Sequence, residues 1–228
     1  MKATNTIITA LGALLITALA SCNTPTPENN ALNKGHDEFT HVEITFTEGT
    51  PAGGTFSDPI YGKDFTKGSH TTKFVWGEAK DGTMLPKQSI ELKRGTWYEM
   101  DIRLFNRAGA DITSDITTNE AQRAIHQFFF QLFEGEKTTK QLNDFLDYRY
   151  GDLQADGSLL MPPIGLRGYV KISSTDLNEV YMRVFLLHIT NNQSKINPKT
   201  GKPYPFNGPQ GKILGVRDDD FRIPVKLI

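Results

Sequence analysis

Cysteine is almost missing from this chain, with Cys22 the only one in 228 residues. A single thiol excludes an intrachain disulfide and, if lipid consumes it, leaves no thiol as a nucleophile. Neither charge sign prevails, since 25 Lys and Arg meet 26 Asp and Glu for a formal net charge of −1. Without a basic block or a basic excess, no nucleic-acid partner is expected. No long apolar run follows residue 21, so no second membrane segment is read. Enzymatic signatures are missing as well: there is no G-x-S-x-G elbow, no H-E-x-x-H pair and no phosphate-binding glycine loop. Carboxylates are plentiful, but no spacing singles out a pair for acid/base work. These lacks point away from an enzyme and toward a binding or structural protein.

What is present begins at the N-terminus. Lys2 gives a positive start, and Ile7 to Leu19 is apolar except for Thr9, Gly12 and Thr17. The order predicts a secretory signal over residues 1–21, too short to span a bilayer as a mature helix. Leu19-Ala20-Ser21-Cys22 then resembles the bacterial lipobox. That resemblance implies cleavage before Cys22 and acylation of its thiol; a plain signal peptide with a chance cysteine is the alternative. Two or more acyl chains, at ~0.8 kcal/mol per buried methylene, make a stable anchor. Residues 22–38 read as a lipidated tether rich in Asn, Thr and Pro, with a reach on the order of 20 Å. Surface-exported lipoproteins of Bacteroidetes-type bacteria carry an acidic cluster just after the lipidated cysteine, and here only Glu28 is acidic in that stretch. Asn23 is not the aspartate that retains many lipoproteins in the inner membrane. The expected address is the outer membrane, with either face open.

Residues 39–228 read as one β domain. Val42, Ile44 and Phe46 alternate with Glu43 and Thr45, and Tyr98, Met100, Ile102 and Leu104 alternate with Glu99, Asp101 and Arg103. Further strands are predicted at 73–76, 89–93, 127–133, 146–150, 166–172, 180–189 and 221–227. Asp81-Gly82, Arg94-Gly95, Ala108-Gly109 and Asp156-Gly157 supply turns. Nine short strands so punctuated predict an all-β, two-layer antiparallel sandwich of Ig-like or jelly-roll type; a calycin-like β-barrel is the alternative. Thr117 and Glu120 have capping-box spacing ahead of a helix over 118–125, and a second helical piece is read at 140–146. Loops over 49–72 and 191–212 are long enough to be functional or simple insertions.

Five histidines are the best metal-ligand candidates. His36 and His41 flank the end of the tether, and His70 reads as a loop residue. His126 opens a strand on the parity of Phe128 and Phe130, and His188 nears the end of another on the parity of Val184 and Leu186. If those strands pair antiparallel, both imidazoles reach one sheet edge, where they could ligate a transition-metal ion or a haem iron. The alternative is two separately hydrogen-bonded histidines. Asp218-Asp219-Asp220 reads as a solvated turn whose acceptors could join a cation site built elsewhere. The calcium-loop likeness of Asp152 and Asp156 is weak, because Gln154 and Pro163 stand at ligand positions, and a hairpin turn explains it better. Trp76, Trp97, Tyr61 and Tyr98 could form a sugar platform, with Trp97 and Trp76 as candidate ligand-facing aromatics and Trp97 on the polar parity of its strand; core packing is the alternative.

Four short motifs carry a further likeness. Asp111-Ile112-Thr113-Ser114-Asp115-Ile116, His126-Gln127-Phe128-Phe129-Phe130, Leu187-His188-Ile189 with Asn191, Asn192 and Lys195, and Asp219-Asp220-Phe221-Arg222-Ile223 follow in order. Together they resemble a family of small β-rich Bacteroidetes lipoproteins that often accompany TonB-dependent receptors. The resemblance implies a lipid-anchored protein assisting outer-membrane uptake of a small ligand, such as a metal ion or metal complex, and it marks His126 and His188. A structural or adhesive envelope protein and a carbohydrate-binding module are the other readings.

Overall fold

The alternation seen in the sequence sorts the apolar side chains onto two sheet faces that meet. The computed structural model describes residues 39–173, 176–190, 194–208 and 215–228; the signal, the lipobox and the tether with His36 lie outside these. In chain order the elements are β1 (Phe39–Pro51), β2 (Phe65–Gly77), β3 (Ile90–Leu92), β4 (Trp97–Asn106), α1 (Glu120–Ile125), β5 (His126–Phe133), β6 (Leu146–Tyr150), β7 (Arg167–Ile172), β8 (Glu179–Ile189), β9 (Ile196–Asn197), β10 (Lys202–Pro203) and β11 (Gly215–Leu227). Five strands form one sheet in the order β2-β1-β4-β7-β6, and four form the other in the order β3-β11-β8-β5. Neither closes into a barrel. Pairing is antiparallel except between β3 and β11, which run parallel.

The two inner faces form the core. Val42, Ile44, Phe46, Met100 and Ile102 of one sheet face Phe128, Phe130, Val184, Leu186 and Ile223 of the other, all at most 2% exposed. Phe130 stacks on Tyr148 across the gap with centroids 4.2 Å apart. With no cysteine among the described residues, burial and hydrogen bonding hold this fold without a covalent staple. The outer edge of β5 would expose unpaired backbone, but other segments cover it. Phe128 N–H donates to Ile164 O (2.6 Å), Phe130 N–H to Phe206 O (2.7 Å), and Leu132 N–H to the Asn143 side chain (2.9 Å). A smaller apolar cluster of Phe129, Phe185, Leu187, Ile189 and Tyr204 lies on the other face of that sheet.

Several local expectations change. The 49–72 loop shrinks to 52–64, because β1 and β2 resume pairing beyond a bulge after Thr47, from Gly49↔Lys67 to Pro51↔Phe65. His70 therefore lies in a strand, where it is exposed. The described part of the 191–212 loop folds back as the β9–β10 ribbon. Asn119, not Thr117, caps the helix, its side chain accepting from Gln122 N–H at 2.8 Å. Thr117 is diverted: its hydroxyl donates to Ser114 O at the end of a 3-10 turn. Helix over 140–146 is confined to a 3-10 turn at Asn143–Phe145, since Leu146 already belongs to β6.

Phe130 is fully buried, so Phe130→Ala leaves a cavity where the two sheets touch. The expected loss is about 3–5 kcal/mol, read from chemical denaturation of the full chain. A loss below about 1 kcal/mol would be inconsistent with this core.

Candidate metal centre

α1 runs straight into β5, and the junction sets the first ligand. Its last turn directs two donors of His126 onto one acceptor, because both the backbone N–H and ring Nδ1 (2.9 Å) reach Gln122 O. A carbonyl oxygen only accepts, so Nδ1 carries a proton, and the neutral form of the ring holds its lone pair on Nε2. A hydrogen bond of this kind is what orients an imidazole for ligation. His126 is fully buried.

The second ligand is set by strand register. His126 stands directly opposite His188 in the β5–β8 ladder. Their ring centroids are 5.0 Å apart and their planes tilt by 44°. Both rings thus meet at one end of the sheet, as the parity of their neighbours predicts.

The third comes from an irregularity in β11. Arg217 pairs with Leu187 and Asp219 with Leu186, leaving Asp218 as the extra residue of a bulge. A regular strand would alternate its side chains across the two faces; the bulge re-aims Asp218 toward the histidines. Its Oδ2 stands 3.9 Å from His126 Nε2 and 4.0 Å from His188 Nδ1. One ligand atom from each of the three residues lies within 4.8 Å of the others. Zinc bonded at ~2.0–2.1 Å in a tetrahedron would draw such atoms to ~3.3 Å apart.

Two neutral imidazoles and one carboxylate suit zinc, copper or nickel better than calcium or magnesium. Three protein ligands leave one tetrahedral position open. Haem fits less well. Axial imidazoles need a planar slot between them, whereas these rings are cross-strand neighbours and His126 has no exposed surface.

The acidic run is not a solvated turn, for it lies inside β11 and its members diverge. Asp218 joins the histidines. Asp219 is buried and pushed up to about 7 by desolvation, its Oδ1 accepting from Asp220 N–H at 2.8 Å. Asp220 pairs with Arg183 and, at 3.2 Å, with Arg217.

The other candidates fall elsewhere. Trp97 keeps its outward parity but is only 9% exposed. Phe56, from the 52–64 loop, meets it edge-on at 4.9 Å, and Lys171 Nζ lies 4.9 Å over its ring. Trp76 is half-buried, stacked on Phe221 at 4.8 Å. Tyr61 and Tyr98 are core residues, so no exposed aromatic row forms from these four. His41 stacks on Phe105, and burial lowers its pKa. Asp156 accepts from Ser158 N–H (2.9 Å) in a turn, while Asp152 is buried and accepts from Ile164, Gly165 and Arg167 N–H. A carboxyl pair not foreseen is Glu99 and Asp101 on β4. Arg167 (2.9 Å) and Lys67 engage Glu99, while burial, followed by Glu99, pushes Asp101 up to about 6.

The hydrogen bond to Gln122 O specifies the His126 tautomer. Nitrogen-15 NMR of the full chain at neutral pH should find Nδ1 protonated and Nε2 bare; a proton on Nε2 with Nδ1 bare would contradict this junction. No family model, curated protein or solved structure matches the chain.

Proposed function

We propose that this protein is a lipid-anchored binding protein of the bacterial envelope that captures a transition-metal ion at His126, His188 and Asp218. The observation that carries the reading is the convergence of the three ligand atoms at one end of the sandwich, two by strand register and one by a bulge. The desolvated setting favours it. Side-chain exposure is 0% for His126, 13% for His188 and 8% for Asp218, so little water competes for the ion. The lipobox at Cys22 and the tether supply the anchoring half of the proposal. The outer membrane is the proposed address, and the motif likeness supports a TonB-dependent receptor as the acceptor of the captured ion. Binding without chemical turnover is the proposed role.

Isothermal titration of the full chain with zinc should give one site per chain at pH 7.5. Asp218→Asn should weaken it tenfold or more, and His126→Ala/His188→Ala should abolish it. Protons compete with the metal for imidazole nitrogen, so affinity should fall as pH drops through ~6.5, the ordinary imidazole value. Equal binding by wild type and the double variant would refute the site, and so would no binding by either.

Anchoring is tested separately. Cells fed a fatty-acid analogue should label the wild-type chain and leave Cys22→Ala unlabelled. Equal label on both would remove the anchor from the proposal.

A further inference from the structure

Bordering α1 lies a second polar concentration that the metal proposal does not use. Two adjoining cavities, of about 520 Å³ and 490 Å³, share Arg123, Gln154 and Leu160 and form one groove. Its floor holds an unusual cation. Lys195 is only 2% exposed, and among the described residues its ammonium makes one hydrogen bond, to Pro163 O at 2.7 Å. An ammonium has three donors, and burying one so sparsely bonded is costly. Arg123 stands near enough to act on Lys195 electrostatically, and donates from Nη1 to Thr117 O at 2.8 Å. Among the described residues, neither cation has a carboxylate within 4 Å.

The acids close by do not fill that role. Asp152 lines the groove and draws on Lys195 through space, but its two oxygens already accept three backbone N–H groups. Glu120 lines the same groove and is exposed to water. Burial brings the Lys195 ammonium down to about 7, with Asp152 opposing that shift and Arg123 adding to it. An anion between the two cations would relieve both the desolvation and their mutual repulsion.

Apolar side chains share the groove walls with the polar ones. Leu160 runs along both halves, and Leu153 and Met161, at 43% and 64% exposure, leave large apolar side chains open at the rim. Exposed apolar surface beside a buried ammonium and a half-buried guanidinium is the chemistry of a ligand with a charged head and a hydrocarbon body.

We propose that this groove binds a small organic anion, its head held by Arg123 and Lys195 and its apolar body lying along Leu153, Leu160 and Met161. The ligand class is a short carboxylate, and the site is independent of the metal centre.

Titration calorimetry of the full chain with hexanoate, inorganic phosphate and hexanol separates the contributions of head and body. Hexanoate should bind saturably at one site, with phosphate and hexanol at least tenfold weaker. Arg123→Gln and Lys195→Met should each weaken hexanoate tenfold or more. If Lys195→Met fails to fold, Arg123→Gln on the partly exposed helix decides the matter. No saturable binding, an unaffected Arg123→Gln variant, or phosphate binding as tightly as hexanoate would each overturn the proposal.

Discussion

Pairing between β5 and β8 ties the core to the candidate metal centre through a single register. Eight consecutive pairs run from His126↔His188 to Phe133↔Tyr181. Phe128, Phe130 and Leu132 meet Leu186, Val184 and Met182 on the inner face, all fully buried. Because side chains alternate, a one-residue slip of β5 would turn that apolar set outward and bring Gln127, Phe129 and Gln131 in. The free energy of core burial therefore also holds the histidine pair in place, with no extra device needed to align the rings. Asp218 does need one, and the bulge in β11 supplies it. Bulges leave a residue out of the ladder, and here the unpaired residue is the one that turns to the imidazoles.

Polar burial concentrates at the same end of the sandwich. Gln127 Nε2 donates to Tyr150 Oη (3.1 Å), which donates in turn to Phe128 O (2.9 Å). Asp152 gathers the backbone of residues 164–167, and Lys195 ties the 194–208 segment to Pro163. These bonds hold down the loops that cover the edge of β5. The short helix α1 separates two environments. Gln122 lies on its buried side, where its carbonyl oxygen meets His126, while Glu120, Arg123 and Ala124 face the groove. Buried polar groups are costly unless bonded, so a domain without a covalent staple gains little stability by collecting them. Their concentration beside two candidate ligand sites is consistent with positioning work.

Much of this was legible from alternation. The nine predicted strands all appear, and the parity of His126 and His188 placed both rings on one face at one edge, because antiparallel pairing brings a strand's start beside its partner's end. What was illegible was non-local. Asp218-Asp219-Asp220 reads as a turn because three carboxylates rarely sit within a strand; only pairing with β8 shows the bulge that separates their roles. Trp97 has outward parity, and nothing local shows that Phe56, forty-one residues earlier, covers it. Asn119 displaced Thr117 as the helix cap because the preceding 3-10 turn had already engaged the threonine. The groove of Arg123 and Lys195 carries no sequence signal, since its walls come from α1, the 152–166 loop and the 194–195 segment.

Strand register and a bulge bring three side chains together as the proposed metal site. X-ray absorption at the zinc edge, on the full chain loaded with one equivalent of zinc, tests it most directly. Two imidazole nitrogens and a carboxylate oxygen are expected at ~2.0–2.2 Å, with the outer-shell scattering of two histidine rings. A shell of oxygen alone, without imidazole scattering, would contradict the site.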